Sequence, residues 1–166
     1  MSFFSVVEQA LSALGIAPEE LQIASVDALV GRHYPALSTD RPALIALPEG
    51  AGRPYQALAG LLRRAYPDDH PVTWIGGLGC GTPTISPIEL GALAEVDPGQ
   101  GGVFLYLAPL PCPSSVETFL GTVAHLRAPD GCPWDQKQTH RSLRQGFEEE
   151  THEVLDALDQ GDMELL

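Results

Sequence analysis

Phe3, Phe4, Val7, Ala10, Leu11 and Leu14 recur at helical spacing, and Gly15 follows them. The chain therefore opens on an amphipathic helix that a glycine closes. Leu21–Ala24 reads as a short strand and Val26–Gly31 as a helical turn or short helix. Pro42–Leu47 is an apolar run of strand length, the pattern of an interior strand. Pro48–Gly52 is a loop by composition. Tyr55–Tyr66 predicts a second amphipathic helix, with Leu58, Leu61, Leu62 and Ala65 as its stripe and Arg63 and Arg64 at its C-terminal end. Val72–Ile75 and Val103–Leu107 are the next strands, the second rich in β-branched and aromatic residues. Between them, Gly76-Gly77-Leu78-Gly79-Cys80-Gly81-Thr82 reads as a flexible turn.

The pattern changes after the proline-rich Pro109–Pro113. Ser114 or Ser115 with Glu117 opens a helix through Thr118–Leu126. A tight loop follows from Gly131, and Ser142 with Gln145 has the spacing of a capping box that would start a further helix. Leu143, Phe147, Val154, Leu155 and Leu158 form the stripe of that helix, and Gly161 is its stop. With no following helix to cover this stripe, either disorder after about residue 130 or self-association through helix pairing is expected. The fold class is thus an α/β N-terminal domain, a mixed sheet with helices over residues 1–110, followed by an all-α helical segment over 111–166.

Composition narrows the function. The net charge is −13, and the last nineteen residues hold eight acids with no Lys or Arg, which argues against a nucleic-acid partner. Lys137 is the only lysine, so a G-x-x-x-x-G-K phosphate loop is excluded. Cys80, Cys112 and Cys132 form no C-x-x-C pair and suit reduced thiols. No apolar run reaches membrane-spanning length and the N-terminus lacks a basic leader, so a cytoplasmic protein with no membrane partner is expected.

The chemistry concentrates on Glu149, Glu150 and Glu153. At about 100° of rotation per residue, Glu150 falls on the edge of the apolar stripe, Glu153 lies further round on the same side, and Glu149 points furthest from the core. Glu150/Glu153 and Glu149/Glu153 stand three and four residues apart, so each pair can share one ion. Gly146, one turn earlier, leaves room for a ligand. Carboxylates this close repel unless a hard divalent cation bridges them. Mg²⁺, with Mn²⁺ as the alternative, is the expected cofactor. A solvated acidic face is the competing reading.

The segment G-C-P-W-D-x-x-Q-T-H-x-S-L, from Gly131 to Leu143, followed by E-E-x-x-E at Glu149–Glu153, resembles the opening half of the MazG family. These are all-α nucleoside triphosphate pyrophosphohydrolases, and Leu126–Asp130 looks like that family's entry segment. The resemblance covers roughly residues 115–166. It implies a Mg²⁺ site built on Glu149, Glu150 and Glu153, a nucleoside triphosphate substrate, and release of a nucleoside monophosphate and pyrophosphate. It also implies substrate contacts from the loop, at Trp134, Asp135 and Gln138. Trp134 has three readings: a stack on a base, a closure of the loop over the helix, or a packing anchor. The general base stays unassigned. The family completes its site with an E-x-x-D pair on the next helix, and the sequence ends at Leu166 before such a pair. Asp156, Asp159 and Asp162 do not replace it by spacing, so the isolated chain is expected to be inactive and its helical segment truncated.

Residues 2–110 resemble the second half of a tetrapyrrole methylase domain, through Ser2-Phe3-Phe4, Leu11 to Gly15, Val26 to Leu29, Tyr34-Pro35, Arg41 to Leu44 and Tyr66 to Val72. That implies two further readings: a non-catalytic scaffold or oligomerisation module, and a methylase remnant that binds S-adenosylmethionine. The glycine-rich 76–82 turn is the only segment available for an adenosyl group, and it does not make a Rossmann fingerprint.

Overall fold

The computed structural model describes residues 3–19, 21–47, 55–79, 81–96, 102–112 and 115–165. The chain divides into two compact units, Met1–Thr118 and Phe119–Leu166.

The first unit is built on one five-stranded sheet in the order β1-β2-β5-β3-β4. Its strands are β1 (Gln22–Ser25), β2 (Ala43–Leu47), β3 (Pro71–Leu78), β4 (Thr84–Glu89) and β5 (Gly102–Leu107). Only β1 and β2 pair in parallel, and the remaining pairs are antiparallel, so the sheet is mixed. Side-chain alternation serves two cores. Ile45 and Leu47 of β2, Val72 and Trp74 of β3 and Leu105 and Leu107 of β5 pack with α2 (Val26–Leu29), α3 (Tyr55–Leu62) and a 3₁₀ turn at Leu90–Glu95. Leu44, Ile75 and Phe104 cluster instead with Val7 and Ala10 of α1 (Phe3–Leu14).

Ile75 and Leu78 share one cluster although they stand three positions apart, an offset that puts strand side chains on opposite faces. A register shift between them accounts for it, and Gly77 at φ +73° supplies the extra residue of the bulge. The expected flexible turn is thus the end of β3 and its hairpin connection to β4. A strand, not a helix, follows these glycines, which removes the geometry of a dinucleotide cradle.

Most predicted elements fall where expected. Gly15 closes α1 at φ +67°, and β2 is interior. The helix expected over Tyr55–Tyr66 stops at Leu62, and its next residues turn. Arg63 leaves the helix to bond Asp68, with Nε 2.5 Å from Oδ1, and to donate to the Gly91 carbonyl at 3.2 Å. Tyr66, buried beyond the helix end, packs against His70 with ring centroids 4.8 Å apart, and burial pushes its phenol up to about 12. The loop expected over Pro48–Gly52 lies outside the described residues.

The stretch after β5 is tied down at three points. His70 Nε2 lies 3.0 Å from the Ala108 carbonyl oxygen, and the Leu110 N–H donates to the Thr39 carbonyl at 2.8 Å. The Asp40 carboxylate then accepts from the Ser115 N–H at 3.2 Å and from the Ser115 and Thr118 hydroxyls. Ser115 Oγ in turn accepts from the Thr118 N–H at 3.1 Å, the N-cap bond that starts α4 (Val116–Leu126).

His70 is 4 % exposed, and burial lowers its pKa against weaker opposing effects of the Ala108 carbonyl and Asp69. A depressed imidazole pKa means the folded state prefers the neutral ring. Its contribution is complete above the unfolded value of about 6.5 and is lost as pH falls through that value towards the folded one. Urea unfolding midpoints are expected to fall between neutral and mildly acidic pH. His70→Gln should be less stable at neutral pH but lose less on acidification, and an equal acid loss in both proteins would refute the assignment.

Candidate functional site

The second unit contains only helices among its described residues: the rest of α4, α5 (Pro133–Lys137) and α6 (Arg144–Gln160). Its loop is assembled from backbone upward. After α4 the chain turns back so tightly that the Cys132 N–H donates to the Leu126 carbonyl at 2.9 Å and the Gly131 N–H to Ala128 at 2.8 Å. A Cβ on Gly131 would overlap the His125 carbonyl oxygen and lie 2.6 Å from that of Leu126. Pro133 then starts α5 at the first helical position, where its missing N–H costs nothing and its fixed φ suits the helix.

Side chains lock this return. Arg127 Nη1 donates to the carbonyls of Asp135 at 2.9 Å and Gln138 at 3.4 Å, gripping the C-terminal end of α5. Gln136 reaches back to the Ala128 carbonyl at 2.6 Å. Gln138 donates from Nε2 to the Trp134 carbonyl at 3.3 Å and accepts from the Ser142 hydroxyl at 2.7 Å.

The capping box expected at Ser142 and Gln145 is not formed, and Leu143 precedes α6 without a side-chain cap bond. The reciprocal pair sits three residues earlier. Thr139 Oγ1 accepts from the Ser142 N–H at 3.1 Å, and Ser142 Oγ accepts from the Thr139 N–H at 2.9 Å. Ser142 is thus the third residue of a helical turn, not its cap, and Gln145 instead donates to Glu149 Oε1 at 2.9 Å. Gly161 stops α6 as expected, at φ +69°, its N–H directed to the Ala157 and Leu158 carbonyls.

Glu149, Glu150 and Glu153 all lie on α6 and all are exposed. The ion pairs among the described residues are Arg63–Asp68 and Arg144–Glu148, so none of the three glutamates is neutralised by a salt bridge. A Cβ on Gly146 would meet nothing within 4 Å, so the space beside it is open. An all-oxygen donor set suits a hard cation such as Mg²⁺ in kind. As placed, however, no group of three His, Cys, Asp or Glu side chains among the described residues is gathered to hold a metal ion. Trp134 is 65 % exposed, so it is not a packing anchor of this unit. Asp135 is half-buried, and the Gln138 amide is spent on the loop itself.

The stretch after residue 130 is helical, and its apolar stripe is uncovered, Phe147 being 74 % and Leu143 46 % exposed. Ala157 alone is buried in α6. No helix among the described residues is long and apolar enough to cross a membrane.

Sequence reasoning singled out the glutamates, Trp134, Asp135 and Gln138 but assigned no role to Arg127. Its contacts are to backbone carbonyls, which leave no pattern of residue types. Its place in the Leu126–Asp130 entry segment was the available signal.

Comparison with known proteins agrees with the two-part character of the chain. No protein-family model matches it. It is 33 % identical over 105 residues, 61 % of the chain, to an uncharacterized protein of Bacillus subtilis (strain 168), YabN. It is 43 % identical over 44 residues, 26 % of the chain, to the nucleoside triphosphate pyrophosphohydrolase/pyrophosphatase MazG of Thermotoga maritima. The matched stretches are 22 % and 17 % of those relatives, so the chain spans under a quarter of either. Among solved structures it is similar to a diphthine synthase (TM-score 0.40, 16 % identity, 60 % of this chain and 44 % of that one). It is also similar to a uroporphyrin-III C-methyl transferase from Thermus thermophilus (TM-score 0.39, 17 % identity, 66 % of this chain and 54 % of that one).

The Gly131 turn generates a direct test. Gly131→Ala forces a methyl group into backbone carbonyls that have no rotamer to escape through, at a cost on the order of 2–4 kcal/mol to the local structure. Hydrogen exchange in the full chain is expected to accelerate over residues 126–143 with little change in the sheet. Unchanged protection of the loop would show that the turn relaxes freely.

Proposed function

We propose that residues 111–166 supply the first carboxylate-bearing helix of a Mg²⁺-dependent nucleoside triphosphate pyrophosphohydrolase, with Mn²⁺ as an alternative ion. The observation that carries this reading is the 43 % identity over 44 residues to MazG. The loop running from Gly131 into an exposed helix with glutamates at 149, 150 and 153 supports it. On this reading Glu150 and Glu153 are the direct ligands and Glu149, bonded by Gln145, an auxiliary one.

When bound, the ion supplies positive charge at the phosphate oxygens, which a protein of net charge −13 needs for an anionic substrate. The residues of the chain do the rest. The loop, held in shape by the Gln138 amide, presents Trp134 to the base and Asp135 to the nucleotide, and the open space beside Gly146 leaves room for it. Water attacks the α-phosphorus, and a nucleoside monophosphate and pyrophosphate leave. Pairing of α6 with a second copy covers the exposed stripe and builds the oligomer. The reading places the protein in the cytoplasm.

A second acidic helix completes the site, and α6 does not itself provide it. The 166-residue chain alone is therefore expected to bind Mg²⁺ or Mn²⁺ weakly in a calorimetric titration. That binding should vanish in Glu150→Ala and Glu153→Ala, and no pyrophosphate should be released from a nucleoside triphosphate. Robust hydrolysis by this chain would contradict the half-site. Absence of both cation binding and hydrolysis after a second acidic helix is supplied would leave a non-catalytic scaffold.

A further inference from the structure

A cavity of about 450 Å³ opens in the helical unit beside the locked loop, lined by Arg127, Gln138, Thr139, His140 and Leu143. Two of these residues are accounted for by the loop. The Gln138 amide is bonded at both ends, and the Thr139 hydroxyl oxygen accepts the Ser142 N–H. Two are not. Arg127 commits one guanidinium nitrogen, Nη1, to the Asp135 and Gln138 carbonyls, and it pairs with no carboxylate among the described residues. His140 is exposed at the same cavity.

The charge pattern points the same way. Between residues 127 and 144 lie four of the nine Lys and Arg residues, Arg127, Lys137, Arg141 and Arg144, against two acids, Asp130 and Asp135. From Glu148 onward there are eight acids and no Lys or Arg. Cation and anion are thus sorted along a short stretch of a strongly acidic chain. Carbonyl contacts fix the Arg127 guanidinium in place before any ligand arrives, so little side-chain entropy remains to be lost on binding. A guanidinium with free N–H groups beside an imidazole is a donor set for phosphoryl oxygens, to which charge-assisted bonds are the stronger kind.

We infer that Arg127 and His140 form a metal-independent subsite for the phosphate chain of the nucleotide. The inference rests on the pyrophosphohydrolase reading for the identity of the anion as a polyphosphate. It assigns to the loop a binding role separate from the carboxylates of α6.

The test uses the full chain and inorganic pyrophosphate at neutral pH in the presence of EDTA, followed by amide chemical shifts. Residues 127 and 138–143 are expected to shift saturably. Affinity should fall by about tenfold in Arg127→Gln and about threefold in His140→Gln, as expected for loss of a charge-assisted and a single neutral donor. Glu150→Ala should leave it unchanged, so the subsite is read separately from the cation site. If Arg127→Gln loosens the loop, His140→Gln together with Arg127→Lys decides. Lys keeps the charge and most of the binding, whereas an Arg127 that only shapes the loop would lose as much pyrophosphate affinity in Arg127→Lys as in Arg127→Gln. No saturable shift in these residues, or equal affinity in the wild type and both loop variants, overturns the assignment. Pyrophosphate binding without any Mg²⁺ binding would leave the subsite standing and remove the metal reading.

Discussion

At Gly131 two stretches of backbone approach more closely than any side chain permits, and the helical unit takes its shape from that approach. The turn brings α5 back beside the end of α4, so that Arg127 bonds the carbonyls of Asp135 and Gln138, and Gln136 of α5 bonds that of Ala128. These contacts substitute for a core. Neither α4 nor α5 buries a residue, and α6 buries only Ala157. An intramolecular hydrogen bond contributes a net of about 1 kcal/mol, so a unit held this way is only marginally stable. An exposed stripe running from Leu143 to Leu158 is then a resource as much as a liability, because covering it adds the apolar burial that the loop lacks.

The same loop separates charge. Donors gather on the turn between Arg127 and Arg144, and acceptors on α6 from Glu148 onward. A polyphosphate carrying a divalent cation has the complementary pattern, with oxygens for the donors and a positive centre for the carboxylates. Neither half alone discriminates such a ligand from any other ion. On the proposed reading the two together favour a ligand that carries both charges.

The α/β unit was largely legible because its elements obey one period at a time. Val7 and Ala10 of α1, and Leu58, Leu61 and Leu62 of α3, are buried at helical spacing, and the unbroken apolar run of β2 marks an interior strand. Strand β4 escaped notice for a physical reason. It is an edge strand with Pro87 in it and a mostly exposed pattern, so it carries neither an apolar run nor clean alternation. The 3₁₀ turn at Leu90–Glu95 was missed for want of length. In the helical unit the place of Glu149, Glu150 and Glu153 on one helix and its stop at Gly161 could be read from spacing. The start of α6 could not, because Thr139/Ser142 and Ser142/Gln145 offer competing caps and only the preceding turn selects the first. The Arg127 contacts were hidden altogether, since bonds to backbone carbonyls place no demand on the residue types that accept them.

The central claim is that α6 holds a cation at a defined place and is not simply an acidic surface. Substoichiometric Mn²⁺, with paramagnetic broadening of amide signals as the readout, separates the two most directly. The account predicts broadening that is strongest at residues 146–153 and weakens steadily along the chain towards Asp162 and Glu164. Broadening spread evenly over all eight acids from Glu148 to Glu164 would contradict it.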